Sequence, residues 1–134
     1  MQDAVNLVYT PLHSDAPLIT LLGGRDPEKC WDRVYDGPTN PQEDEFPRIT
    51  MFEVLNEDAV PADDKFECSD VNVRIDFWTK DKRDIHPVCK RIKKVLGDTF
   101  MDCIIRPEST MYETDTGVYH KPINVFLLLE QESD

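Results

Sequence analysis

The stretch Cys68-Ser69-Asp70-Val71-Asn72-Val73-Arg74-Ile75-Asp76-Phe77-Trp78 decides the fold. Val71, Val73, Ile75 and Phe77 alternate with Asn72, Arg74 and Asp76, the two-residue period of a β-strand with one face in a core and the other in water. A polar turn, Thr79 to Arg83, leads into a different periodicity. From Ile85 to Gly97, Val88, Ile92, Val95 and Leu96 form an apolar stripe at helical spacing, with Pro87 marking the start and Gly97 the stop. At about 100° per residue, Lys90, Arg91, Lys93 and Lys94 fall on the opposite face, so this helix is amphipathic and strongly basic.

Working outward, Asp102–Tyr112 and Val118–Glu130 read as two further strands around a hairpin loop, Glu113 to Gly117. The last of them is apolar on both faces from Ile123 to Leu129, which predicts a strand that is central or covered on both sides. Upstream, Arg48–Leu55 reads as a strand. Asn56 then opens an acidic loop to Glu67, which carries Glu57, Asp58, Asp63, Asp64 and Glu67 around Pro61 and must be exposed, because unpaired carboxylates are costly to desolvate. Between Gly23 and Pro47, four prolines and three glycines mark a long connection with Val34-Tyr35 as its one strand seed. Ser14 to Gly24 is a short helix with capping residues at its start, Pro17 in its first turn and two glycines at its end. Ala4, Val5, Val8 and Leu12 suggest another helix before it, which Pro11 should terminate. The order helix-β-β-α-β-β predicts a single α+β domain over residues 1–134: a four-stranded antiparallel or mixed sheet with a short N-terminal helix and one amphipathic helix packed on it.

Composition narrows the function classes. A chain of 134 residues with 40% apolar residues and twelve aromatics can build one core. No apolar run approaches the roughly 20 residues of a membrane-spanning helix, and the N-terminus lacks the pattern of a signal peptide, which predicts an intracellular protein. Fifteen basic residues against twenty-seven acidic ones leave a net charge of -12, unsuited to general binding of a phosphate backbone and opposed to self-association. The charge is also uneven. Residues 79–94 hold seven basic side chains (Lys80, Lys82, Arg83, Lys90, Arg91, Lys93, Lys94) against two acids, a local +5, and the rest holds eight against twenty-five, or -17. Such a patch is either a solvated helix face or a surface for a protein partner; the scarcity of aromatics beside it speaks against stacking on single strands.

Chemistry-bearing motifs are scarce. There is no phosphate-binding glycine loop, GxSxG elbow, HExxH pair or EF-hand loop, so no catalytic residue is assigned and the chain is not expected to be an enzyme. Cys30, Cys68, Cys89 and Cys103 stand 38, 21 and 14 residues apart without a CxxC pair and read as reduced core residues. His86 and Cys89 could grip one edge of a metal, but packing is the better reading, and neither metal nor cofactor is expected. His13, His86 and His120 read as exposed or capping residues, since a general base needs a positioned partner.

SDAPLITLLGG at residues 14–24, VYDGP at 34–38, FPRITMFEV at 46–54, VNVRIDFWTKD at 71–81 and the helix that follows resemble, in order and over nearly the whole chain, the tail-completion or head-to-tail joining proteins of long-tailed, siphovirus-type bacteriophages. Asp26–Gln42 and the acidic loop depart from that pattern. The resemblance implies a non-catalytic structural protein of the virion neck, assembled in the host cytoplasm. Six copies would ring the end of the tail tube and join it to the head connector or stopper protein, with viral DNA passing through the lumen without sequence-specific contact. A ring needs two different patches that meet head to tail, and the chain offers two of opposite sign. Lys80, Lys82, Arg83, Lys90, Arg91, Lys93 and Lys94 are therefore expected to meet Asp58, Asp63 or Asp64 of a neighbouring copy or partner ring, weakly enough that the free protein stays monomeric until it meets the tail. The alternative is an acidic DNA mimic that inhibits a host nucleic-acid enzyme, a role the basic cluster would spoil.

Overall fold

A computed structural model describes residues 3–24, 33–35, 37, 46–58 and 68–130. The elements are α1 (Ala4–His13), α2 (Ala16–Leu21), β1 (Arg48–Asp58), β2 (Cys68–Thr79), a 3-10 turn (Lys82–Asp84), α3 (Ile85–Thr99), β3 (Cys103–Pro107), β4 (Met111–Glu113) and β5 (Val118–Glu130). The architecture is α+β, with the helices on one face of a five-stranded antiparallel sheet of order β1-β2-β5-β3, in which β4 also pairs with β5.

The expected strand over 102–112 is two strands. β3 pairs Pro107 with Ile123 and β4 pairs Met111 with His120, so Glu108, Ser109 and Thr110 oppose only Lys121 and Pro122. Pro107 supplies no N–H to a ladder, and the chain bulges past it before pairing resumes. A second irregularity falls between Glu53 and Leu55 in β1, which continues three residues beyond Leu55 because Asn56, Glu57 and Asp58 still pair with Val71, Asp70 and Ser69.

The core lies between sheet and helices. Val71, Val73, Ile75 and Phe77 from β2 and Ile123, Val125 and Leu127 from β5 meet Val88, Ile92, Val95 and Leu96 from α3 and Ala4, Val8 and Leu12 from α1. That burial explains why Pro11 does not end α1. The proline costs a helix interior about 3 kcal/mol, which the burial of Val8 and Leu12, about 3–6 kcal/mol, offsets. Gly97 likewise does not stop α3: it is exposed with a helical backbone, and the helix ends at Phe100, whose extended backbone donates its N–H to the Leu96 carbonyl at 2.9 Å. α2 behaves as its sequence suggests. Asp15 Oδ2 accepts from the Leu18 N–H at 3.0 Å, and Gly23 and Gly24 turn the chain away at φ 100° and 78°. Val34 makes a parallel bridge to Ile49 at the edge of β1, and the Arg33 guanidinium donates to the Leu22 and Phe46 carbonyls, which ties that segment to the end of α2.

Candidate interaction surface

The basic residues divide by their place on α3. Arg91 is spent inside the fold, where its Nε and Nη2 donate to Asp15 Oδ2 and Oδ1, both at 2.7 Å, clamping α3 to the N-terminus of α2. The hydrogen bond from Arg91, helped by that from the Leu18 N–H, holds the Asp15 carboxyl below its usual range despite the opposing effect of burial. Lys94 pairs with Asp98 one turn on at 3.3 Å, Arg83 closes on Asp81 through two hydrogen bonds of 3.1 and 3.0 Å, and Lys80 lies over the Phe46 ring at 5.3 Å. Lys82, Lys90 and Lys93 are exposed with no ion-pair partner among the described residues. The expected patch of seven is thus reduced, and one residue that the sequence does not single out joins it. Lys121 occupies an inward position of β5, opposite Phe77, where Ile123, Val125 and Leu127 follow on the same face.

Lys90, Lys93 and Lys121, with His86, stand around an open cavity of ≈ 310 Å³ whose other walls are Ile85, Cys89 and Pro107. It opens beside the bulge between β3 and β4. His86 and Cys89 do share this wall. Among the described residues no group of three or more His, Cys, Asp or Glu is placed to hold a metal ion. Cys89 and Cys103 are half-buried free thiols packed against the core, and burial pushes both thiols up. Cys68 is placed by its backbone, and Cys30 lies outside the described residues.

Of the expected acidic counterpart, only Asp58 is among the described residues. Asp58 is the last paired residue of β1, opposite Ser69, and Asp63 and Asp64 lie outside the described residues. β2 runs from its pairing with Asp58 at one end to Lys121 at the other, so Asp58 and the lysine cavity lie at opposite ends of the sheet.

The outer face of the sheet departs most from expectation. β5 is central, but its outer face is open towards its C-terminal end: Leu127 is 3% exposed and Leu128 53%. The bulge in β1 leaves both Phe52 and Leu55 on the outer face, opposite Arg74 and Asn72, and Asn72 faces Phe126, which faces Ile104. Phe52, Leu55, Ile104 and Leu128 are all exposed. Apolar side chains of β1, β5 and β3 are thus left open on this face, on either side of Asn72 and Arg74 of β2, whose guanidinium lies over the Phe52 ring at 5.9 Å. At the other end of the same face the sheet is not wet as alternation predicts. Asp76 is 5% exposed, and its Oδ1 takes the Arg74 Nε at 3.1 Å and the His120 Nε2 at 2.6 Å, while the Trp78 ring stacks on His120 at 3.8 Å and its Nε1–H donates to Thr50 Oγ1. His120 is thus neither exposed nor capping, and it has the positioned carboxylate that a base would need. No hydroxyl or thiol is hydrogen-bonded to it among the described residues, so the arrangement is a rigid polar knot rather than a nucleophile and its base. The sequence signal for it is the trio Arg74, Asp76, Trp78 on one face of β2; its partner is 44 residues away.

No protein-family model matches the chain, and no curated protein sequence does. Among solved structures the chain is similar to one in the virion of a native gene transfer agent particle, with a TM-score of 0.63 and 13% identity over 96% of this chain and 95% of that one. At that identity the likeness is one of fold, and it runs through the whole domain. No helix of the described residues is long and apolar enough to cross a membrane.

Proposed function

We propose that this chain is a structural protein of a tailed, phage-like virion that forms a ring on the end of the tail tube and joins it to the head connector, leaving a lumen for DNA. The observation that carries this reading is the agreement of fold, end to end, with a chain of a gene transfer agent virion. Two features of the surface support an assembling role. The outer sheet face keeps Phe52, Leu55, Ile104 and Leu128 in solvent, an arrangement that marks a contact surface when it is contiguous. The lysine-lined cavity near one end of the sheet and Asp58 at the other suit a head-to-tail contact between copies, which closes into a ring when its rotation permits. The reading assigns no catalytic residue and no cofactor, and its partners are the tail-tube protein, the head connector or stopper, and further copies of the chain.

The test is assembly. Purified protein added to separated heads and tails should raise the yield of joined particles, and an antibody to the chain should label the neck in electron micrographs. Labelling of the capsid shell or the distal tail, or joining that proceeds without the protein, overturns the reading.

A further inference from the structure

We propose that the lysine-rimmed cavity between α3, Pro107 and β5 seats the segment Ala59-Val60-Pro61-Ala62-Asp63-Asp64-Lys65-Phe66-Glu67 of a second copy of this chain. The inference deepens the ring reading by naming its subunit contact. Three lysines, Lys90, Lys93 and Lys121, line the cavity with no carboxylate paired to them among the described residues. Like charges gathered in this way repel one another, so the site gains most from an anionic occupant. Its floor is apolar, formed by Ile85, Cys89 and Pro107, which a simple anion would leave unused. An occupant that satisfies both parts carries an apolar or aromatic group flanked by carboxylates. Segment 59–67 has that composition, with Phe66 between Asp63, Asp64 and Glu67. A phenyl ring beneath lysine ammonium groups adds a cation–π attraction. Of the other acidic stretches, Glu43-Asp44-Glu45 adjoins Phe46, whose ring already lies under Arg48 and Lys80 of its own chain, and Glu130 to Asp134 has no apolar residue among its acids.

Geometry makes the contact intermolecular. Lys121 pairs with Phe77, and the segment joins β2 at Cys68, nine residues along the strand, a distance of about 30 Å. Nine residues tethered to both β1 and β2 extend at most about 17 Å beyond them. The segment therefore cannot enter the cavity of its own chain, and a copy that donates at one pole and accepts at the other propagates head to tail.

The probe is a synthetic peptide of residues 59–67, titrated into the full chain and followed by backbone amide shifts. Few charge pairs and one ring give a dissociation constant of about 1 mM. Shifts should concentrate at residues 85–93 and 107–121, and Lys93→Glu, with or without Lys121→Glu, should weaken binding at least about tenfold. A peptide carrying F66A should weaken it several-fold. The exposed position of Lys93 keeps that single variant folded, which its circular dichroism checks. No shift at residues 85–93 in ~10 mM peptide overturns the proposal, as does equal binding by a peptide of residues 126–134 or by the F66A peptide. Absent peptide binding with normal joining of heads to tails would remove this contact and leave the ring reading in place. Peptide binding without joining would do the reverse.

Discussion

At the scale of single residues, the Asp15–Arg91 pair shows how a charge can be read correctly and placed wrongly. Asp15 is legible as a helix cap from Ser14-Asp15-Ala16-Pro17, because capping is local chemistry. Arg91 lies among lysines on the polar face of its helix, and nothing within a few residues says that it faces inward; its partner is 76 positions away. The same holds for Asp76 and His120. Because Arg91 holds Asp15 below the ordinary carboxylate value of 3.8, the pair's contribution is fully present above that pH and is lost as pH falls through the lowered value. Asp15→Asn keeps the cap but removes the charge, so its urea midpoint should fall less than the wild type's between pH 5 and about pH 2.5. Asp15→Ala also loses the cap and should cost about 0.5–2 kcal/mol at pH 7. Equal acid sensitivity of Asp15→Asn and wild type would show that the clamp does not form in solution.

At the scale of elements, period and length are legible where one face is buried. β2 and α3 emerge from their apolar positions within a residue or two, and β5 from its density of branched residues. Two readings failed for a shared reason. Gly97 and Pro11 are local stop signals, and both are overridden by the stripes that α3 and α1 bury, since packing on the sheet is larger than either penalty. The apolar outer face of β5 is a different matter, because periodicity registers that a residue avoids water without saying which chain covers it. Leu127 and Leu128 separate the two cases. Leu127→Asp puts an unpaired carboxylate in the core and should cost more than about 3 kcal/mol, read as a collapse of the thermal transition. Leu128→Asp, half exposed on the outer face, should change monomer stability by less than about 1 kcal/mol yet impair the joining of heads to tails. A Leu128→Asp protein that joins as well as wild type would show that the outer face is uncovered in the particle too.

At the scale of the whole molecule, the α+β class and the element order are legible because helices and strands alternate in a way that admits few layer arrangements. The strand count is not, because a bulge past one proline splits a continuous apolar run. The charge pattern is partly legible: two patches of opposite sign show in the sequence, but only the antiparallel pairing of β2 with β1 and β5 sets Asp58 and Lys121 at opposite ends of the sheet. That pairing also governs when the protein can exist. β2, β3 and β4 each hydrogen-bond to β5, which follows all of them in the chain, and without it only the β1–β2 ribbon remains of the described sheet. A two-stranded ribbon is marginal in water, so the nascent chain has nothing stable to fold until β5 leaves the ribosome. A ribosome-bound chain ending at residue 117 should be degraded by protease where one extended well past residue 130 resists. The order of synthesis thus acts as a timer: no copy folds before its own β5 has been made, and a product cut short of β5 offers no folded surface to a partner.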